Sequence, residues 1–357
     1  MSNRVKIYGA GSIGNHMSHA ARALGWDVDL CDVDAAALRR AKQDIYPGRY
    51  GAWDDGIRLF HGGDAPVGGY DLIVIGTPPE SHMELALAAV REAPRAVLVE
   101  KPLCPPHLEG AQGLLALSAE HGVPVFCGYD HVVGKASERV GDILRSGKLG
   151  QVVTIDVEFR EHWGGIFAAH PWLDGPGDSY LGYWQRGGGA SGEHSHALNL
   201  WQHFAASVGA GRVAEVSASL DYVEDGAVCY DRLCLLTLTT ETGLVGRVVQ
   251  DVITSPPRKW GRVQGTDGFV EWHCGYKAGC DAVIEGGPSG TADEHLIEKT
   301  RPDDFIAELR HVEAVLAGEP GLSPITLARG METMLVIAAA HRSAREKHSV
   351  RIDYGAS

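Results

Sequence analysis

The hexapeptide Gly9-Ala10-Gly11-Ser12-Ile13-Gly14 constrains this chain more than any other feature. It is G-x-G-x-x-G, placed between a short apolar run, Val5–Tyr8, and a stretch that reads as helix from Ile13 to Leu24. A strand before and a helix after turn a loose glycine pattern into a phosphate-binding fingerprint. Gly9 then allows the tight turn, Gly11 lets backbone N–H groups approach a pyrophosphate, and Gly14 lets the helix pack on the strand. The helix N-terminus, at Ser12 and Ile13, adds positive potential. Asp32 closes the next apolar run, Val28–Cys31, 18 residues past Gly14. A carboxylate there accepts hydrogen bonds from an adenosine ribose and repels a 2′-phosphate, which favours NAD over NADP. The alternative is that Asp32 only caps the helix starting near Ala35. Asp34 is placed for either role.

The fingerprint opens an alternation. Leu72–Ile75, Ala96–Val99 and Val125–Cys127 are further short apolar runs. Ala35–Asp44, Glu80–Arg91 and Leu108–His121 read as the helices between them. Apolar runs of about four residues separated by helices predict a buried parallel sheet, and so a doubly wound α/β domain. After Gly150 the rhythm changes. Val152–Phe159, Val213–Tyr222, Leu233–Thr239, Leu244–Ile253, Lys259–Gln264 and Phe269–His273 read as longer strands. No long helix lies among the last five, so an α+β domain with a large, mostly antiparallel open sheet is expected. Asp303–Ala317 and Ile325–Lys347 read as C-terminal helices. We place the domains at 1–130, binding dinucleotide, and 131–357, binding substrate. The C-terminal helix is expected to pack back on the first domain.

Composition excludes several functions. The net charge is −14, and no basic run or stripe offsets it, so nucleic acid and anionic membrane surfaces are poor partners. The longest apolar stretch, Met334–Ala340, is too short to span a bilayer, and no apolar signal region precedes Val5. The seven cysteines include no C-x-x-C and read as reduced thiols of a cytoplasmic protein. The 46 glycines among 357 residues are nearly twice the usual share of about 7% and predict many tight turns.

Four further segments carry chemistry. Thr77-Pro78-Pro79 and Glu100-Lys101-Pro102 each follow a predicted parallel strand, at the end where ligands bind open α/β sheets. A lysine in such a crevice suits proton transfer; otherwise it is a surface lysine in a turn. Gly187-Gly188-Gly189 leads into Glu193-His194-Ser195-His196. On a helix, His196, Asn199 and His203 fall within about 60° of arc, which suits substrate hydroxyls or proton transfer. The other readings are a structural polar face, or metal ligation by Glu193, His194 and His196. Metal is not expected, because residues two apart do not share a helical face and no H-E-x-x-H is present. The irregular stretch from Arg160 to Arg186 offers the donors and flat apolar faces of Arg160, His162, Trp163, His170, Trp172, Tyr180, Tyr183 and Arg186 to a ligand, or alternatively to packing.

Taken in order, these motifs resemble the Gfo/Idh/MocA oxidoreductases, the family of glucose–fructose oxidoreductase and inositol dehydrogenase. The resemblance rests on Gly9–Gly14, Thr77-Pro78-Pro79, Glu100-Lys101-Pro102, Gly128-Tyr129-Asp130 and the Gly187–Asn199 segment, and spans nearly the whole chain. It implies a Rossmann domain followed by an open-sheet domain through which copies pair into dimers or tetramers. It also implies hydride transfer between NAD or NADP and a hydroxyl-bearing carbon of a sugar, aminosugar, nucleotide sugar or cyclitol. Lys101 matches the family's proton-transfer residue, and His196 its histidine beside the reacting carbon. The implied cofactor contacts are Gly9, Gly11, Ser12, Ile13, Gly14, Asp32, Thr77, Pro78, His82, Glu100, Lys101 and Tyr129. The implied substrate contacts are Lys101, Asp130, Arg160, His162, Trp163, Trp172, Tyr183, Arg186, Glu193, His196 and Asn199. The chain departs from the common pattern at four places: the glycine-to-histidine segment is one residue shorter, Gly192 or Glu193 falls where Asp is common, Asn199 stands where a second Asp is common, and Asp130 where Asn is common. Some relatives are non-catalytic sensors and others redox-neutral glycosidases; the intact Lys101 and His196 favour the dehydrogenase.

Overall fold

The computed structural model describes residues 2–319 and 323–355. In chain order its elements begin β1 (Arg4–Tyr8), α1 (Ser12–Ala23), β2 (Asp27–Asp32), α2 (Ala35–Arg40), α3 (Tyr46–Tyr50), β3 (Ile57–His61), β4 (Leu72–Ile75), α4 (His82–Arg91), β5 (Ala96–Glu100), α5 (Ala111–His121) and β6 (Val125–Gly128). There follow α6 (Lys135–Arg145), β7 (Val152–Arg160), α7 (Gly164–Ala168), α8 (Gly189–Glu193) and α9 (His196–Ser207). The strands β8 (Val213–Asp225), β9 (Val228–Thr240), β10 (Val245–Asp251), β11 (Arg258–Gly265), β12 (Phe269–Lys277), β13 (Cys280–Gly286) and β14 (Ala292–Glu298) come next. The chain closes with α10 (Arg301–Leu316), α11 (Leu327–Glu346) and β15 (Val350–Arg351). It divides into two compact units. The first runs to Leu103 and takes in Glu109–Asp130 and Arg301–Ala328; the second holds Cys104–Leu108, His131–Thr300 and the chain from Arg329 on.

In the first unit six parallel strands lie in the order β3-β2-β1-β4-β5-β6. The direction of winding reverses between β1 and β4, so the loops after those strands flank the switch point of a Rossmann sheet. β4 and β5 are buried along their whole length. Each buried Val, Leu or Ile contributes about 1.5–3 kcal/mol. The second helix is shorter than its pattern suggests, because it passes into a π-turn at Ala41–Ile45 before α3. β3, with its half-exposed edge position, is absent from the sequence reading. α10 belongs to this unit and buries Asp304, Phe305, Glu308, Leu309 and Val312 along one face against α1. Two carboxylic acids on an otherwise apolar stripe are unusual.

In the second unit nine strands lie in the order β14-β13-β12-β11-β7-β10-β9-β8-β15. Every pairing is antiparallel except β7 with β10. This is the mixed, mostly antiparallel sheet that the long strand patterns predict. α9 packs on β7 and β10, and α6 on β12 and β13. α6 buries Ala136, Val140, Ile143 and Leu144 while Lys135, Glu138 and Asp142 face outward. Among the described residues no helix is long and apolar enough to cross a membrane.

Candidate active site

The glycine turn of the first unit has three different glycines. Gly9 has φ +98, and a Cβ there would lie 2.6 Å from the Gly76 carbonyl oxygen, in the loop after β4. A Cβ on Gly14 would fall 1.8 Å from the Gly9 carbonyl oxygen, so α1 packs on the turn only without a side chain. Gly11 is the opposite case: a Cβ there would meet nothing within 4 Å. Its bare backbone faces open space at the start of α1. That helix begins with no side-chain cap and no acidic residue in its first turn. Its leading N–H groups are thus offered outward, as an anion site requires. The cradle fits a dinucleotide pyrophosphate.

Asp32 ends β2 as expected, and its carboxylate accepts from the Ala10 N–H at 2.7 Å and the Asp34 N–H at 2.8 Å. It holds the glycine turn in register with β2. Asp34, not Asp32, caps α2, accepting from Ala36 N at 2.7 Å. Each Asp32 oxygen retains acceptor capacity for a ribose hydroxyl.

His82 stands apart from the expected cofactor contacts. It is fully buried, and its ring nitrogens lie 3.0 Å from the Pro102 carbonyl oxygen and 2.7 Å from that of Thr77. It braces the Thr77 turn against the Lys101–Pro102 turn. The Thr77 hydroxyl is 2.7 Å from that of Ser81, and Pro78 is exposed on the same turn. The Lys101–Pro102 peptide bond is cis.

Lys101 follows β5 directly and is half-exposed, while Glu100 is buried beneath it. Glu100 Oε2 accepts from the Lys101 backbone N–H at 3.3 Å and lies over Gly128, where a Cβ would approach it to 2.8 Å. Burial, and then the neighbouring Asp130, push Glu100 up to about 8. Glu308 on α10 is fully buried, accepts no hydrogen bond at either oxygen, and is raised well above the carboxylate range by burial and then by Glu100 and Asp130. Burial with so little compensation favours the protonated forms of Glu100 and Glu308. Tyr129 is fully buried and Asp130 nearly so, both on the turn after β6.

The second unit carries the histidine segment. The triple glycine is packing, not flexibility. Gly189 has φ +74, and a Cβ there would lie 2.1 Å from Asp231 Oδ1. Cβ atoms on Gly188 and Gly192 would meet the Tyr180 and Gly187 carbonyl oxygens at 2.1 and 2.0 Å. α8 is thereby pressed onto β9, and the chain delivers His196 as the first residue of α9. The His196 ring lies edge-on to His131 at 4.7 Å and stacks near Phe159 at 6.2 Å; Phe159 stacks in turn on Trp272 at 5.7 Å. His203 is pushed down to about 4 by burial. Asn199 does share the helix with His196, but it is buried and donates to Thr333 Oγ1 at 3.1 Å on α11. Its role in this unit is helix packing.

The irregular segment divides into two groups. Arg160 is tied to Asp251 at 2.6 Å, and Trp163 is buried against Tyr230 and Phe167. His162 is exposed, accepting from Gly164 N at 2.9 Å; Trp172 is 40% exposed, with His170 at its edge. The Arg186 guanidinium lies 5.0 Å over the Tyr183 ring, and Tyr180 donates to Glu193 at 3.4 Å. Trp163 therefore serves the core, while His162, Trp172, Tyr183 and Arg186 remain at the surface of the segment.

The residues that sequence reasoning passes over are partners brought from far along the chain. Ser191 on α8 is hydrogen-bonded to Asp231 and to His341 on α11, and His341 to Tyr222 at 2.7 Å. Arg49 and Glu308 join the first unit's site in the same way.

The family comparison decides the assignment. The family model described as an oxidoreductase family with an NAD-binding Rossmann fold matches residues 4–129, and the Gfo/Idh/MocA C-terminal domain model matches residues 138–271. The chain belongs to the Gfo/Idh/MocA oxidoreductases. As in that family, its Rossmann domain takes NAD. No curated protein matches the chain in sequence. Solved structures with the same fold include levoglucosan dehydrogenase in complex with NADH and levoglucosan, at TM-score 0.78 and 15% identity over 99% of this chain and 100% of that one. The WlbA dehydrogenase from Bordetella pertussis, in complex with NADH and UDP-GlcNAcA, aligns at TM-score 0.72 and 20% identity over 99% of each chain. An oxidoreductase from Agrobacterium radiobacter, in complex with NAD+, L-tartaric acid and magnesium, aligns at 0.75 and 18% over 98% of each.

Proposed function

We propose that this Gfo/Idh/MocA member reversibly oxidises a secondary hydroxyl of a sugar, aminosugar, nucleotide sugar or cyclitol. The observation that carries the reading is Lys101 at the carboxyl end of β5, on the same sheet edge as the open backbone of Gly11. Bound NAD supplies the hydride acceptor at nicotinamide C4. In the oxidative direction the hydroxyl proton passes to Lys101 Nζ as the C–H hydride leaves, and a carbonyl remains; reduction reverses both transfers. His196 hydrogen-bonds the same or a neighbouring hydroxyl. Proton transfer of this kind is worth about 10²–10⁴-fold in rate.

Levoglucosan and UDP-GlcNAcA, the ligands of two structural neighbours, are both sugars, which supports the substrate class. Tyr183, Trp172 and Arg186 supply flat faces and donors suited to a polyhydroxylated ring. The Asp32 carboxylate repels a 2′-phosphate, so NAD is the working cofactor and NADP the weaker one.

The test is NADH formation, read by absorbance, with purified protein, NAD+ and a panel of free sugars, aminosugars, nucleotide sugars and cyclitols. Turnover of at least one of these hydroxyl compounds is expected. Tight NADH binding with no reduction of NAD+ by any of the four classes would sink the substrate assignment.

A further inference from the structure

The glycine turn, Asp32 and Lys101 leave two guanidinium groups of the first unit unexplained. Arg49, on α3, reaches the turn itself: Nη1 donates to the Ser12 carbonyl at 2.9 Å and Nη2 to Ser12 Oγ at 2.8 Å. It makes no ion pair among the described residues. Arg301 opens α10, and its guanidinium lies 5.0 Å from the centre of the Phe305 ring. Phe305 stacks on His16 of α1 at 4.9 Å and 11°. His16 is hydrogen-bonded to the Tyr50 hydroxyl, one residue past Arg49. One ring stack and one hydrogen bond therefore bring both arginines to the first turns of α1.

Their charges act on each other and on what lies between them. Arg301 lowers Arg49, after burial, and both arginines help burial push His16 down to about 3. Arg301 also acts on Glu100, at the end of β5. Its nearest carboxylate, Asp304, is 3.9 Å away, a loose pair, and the Arg301 side chain is 58% exposed. Two cations held near each other beside an uncapped helix N-terminus repel, unless an anion joins them. The Ser12 bonds use two of the five N–H donors of Arg49.

We propose that Arg49 and Arg301 form a cationic clamp on the pyrophosphate of the dinucleotide, completing the site that the α1 N-terminus begins. This rests on the NAD-binding reading of the first unit and adds two residues that neither the glycine turn nor Lys101 supplies. A guanidinium presents its donors in a planar fork that matches phosphate oxygens. The clamp also accounts for the stacked ring pair that joins α10, remote in sequence, to α1: the contact carries Arg301 to the side of α1.

The experiment is titration of wild type, Arg301→Ala, Arg49→Ala and the double variant with NADH, ADP-ribose and adenosine, at several salt concentrations. Each single variant should weaken NADH and ADP-ribose by about tenfold to a hundredfold, the range of a charge-assisted hydrogen bond. Adenosine, which lacks phosphate, should bind all four proteins alike. The loss should shrink as salt rises. Wild-type affinity for ADP-ribose in Arg301→Ala, whose exposed side chain makes misfolding no explanation, overturns the clamp. Equal weakening of adenosine and ADP-ribose in Arg49→Ala overturns it for Arg49, leaving a brace on Ser12. A wild-type protein that binds none of the three ligands would instead overturn the dinucleotide reading itself.

Discussion

At the residue scale, the site is made of groups whose backbone neighbours do as much as their side chains. Asp32 holds the Ala10 and Asp34 N–H groups before any ribose arrives. Asp32→Ala should therefore weaken NADH by loosening the turn and by losing the ribose acceptor, together about tenfold to a hundredfold. It should also narrow the preference for NADH over NADPH, since the repelling carboxylate is gone. Fluorescence titration with both nucleotides checks this; an unchanged NADH-to-NADPH ratio would contradict the role given to Asp32. Gly189 makes a structural prediction of the same kind. Its positive φ and the 2.1 Å approach to Asp231 leave no space for a methyl group. Gly189→Ala should cost about 2–3 kcal/mol of stability, seen as a lower melting temperature.

At the scale of elements, α10 is the informative one. Its buried face carries Glu308 toward Glu100 and Asp130. Both glutamates are raised in the folded protein, so the folded state holds these protons more tightly than the unfolded chain does. Their contribution is intact below the ordinary carboxylate range of about 4.5 and is lost as pH rises toward about 8. Glu308→Gln keeps the shape of the protonated acid and removes the titration. Its melting temperature should match the wild type near about pH 5 and exceed it near about pH 9. A constant difference across that range would show that Glu308 carries no raised titration. This arrangement is invisible in the sequence, where D-D-F-I-A-E-L reads as an ordinary amphipathic start. The strands β1, β2, β4, β5 and β6 were legible because a buried parallel strand is a short unbroken apolar run. β3, β13 and β14 mix exposed and half-buried positions, and their patterns blur. The glycine turn, Lys101 and His196 are readable as local motifs. Asn199 as a packing residue, His82 as a brace, and the partners Ser191, Asp231 and His341 depend on pairings across tens of residues that periodicity does not encode.

At the scale of the whole molecule, one feature of the second unit's sheet bears on assembly. Leu235, Val245 and Leu296, on β9, β10 and β14, are 39–48% exposed on one face. Helices cover the opposite face through α6 and α9. The same face carries the Arg247–Asp156, Arg247–Glu158 and Arg262–Glu271 ion pairs, and a mixed face of this kind suits a partly polar interface with a second copy, in line with the dimers or tetramers that the family resemblance implies. Light scattering behind size exclusion should give at least twice the chain mass. Val245→Lys should shift it towards one chain while leaving NADH binding by the first unit unchanged. A monomer in the wild type would contradict the assembly.

In the proposed reaction Lys101 moves the proton that accompanies hydride transfer. The most direct measurement compares steady-state turnover of wild type and Lys101→Ala on the best hydroxyl substrate, with the NADH dissociation constant measured for both. Turnover of Lys101→Ala should be lower by about 10²–10⁴-fold, with an NADH affinity within about twofold of wild type. Equal turnover in the two proteins would contradict it.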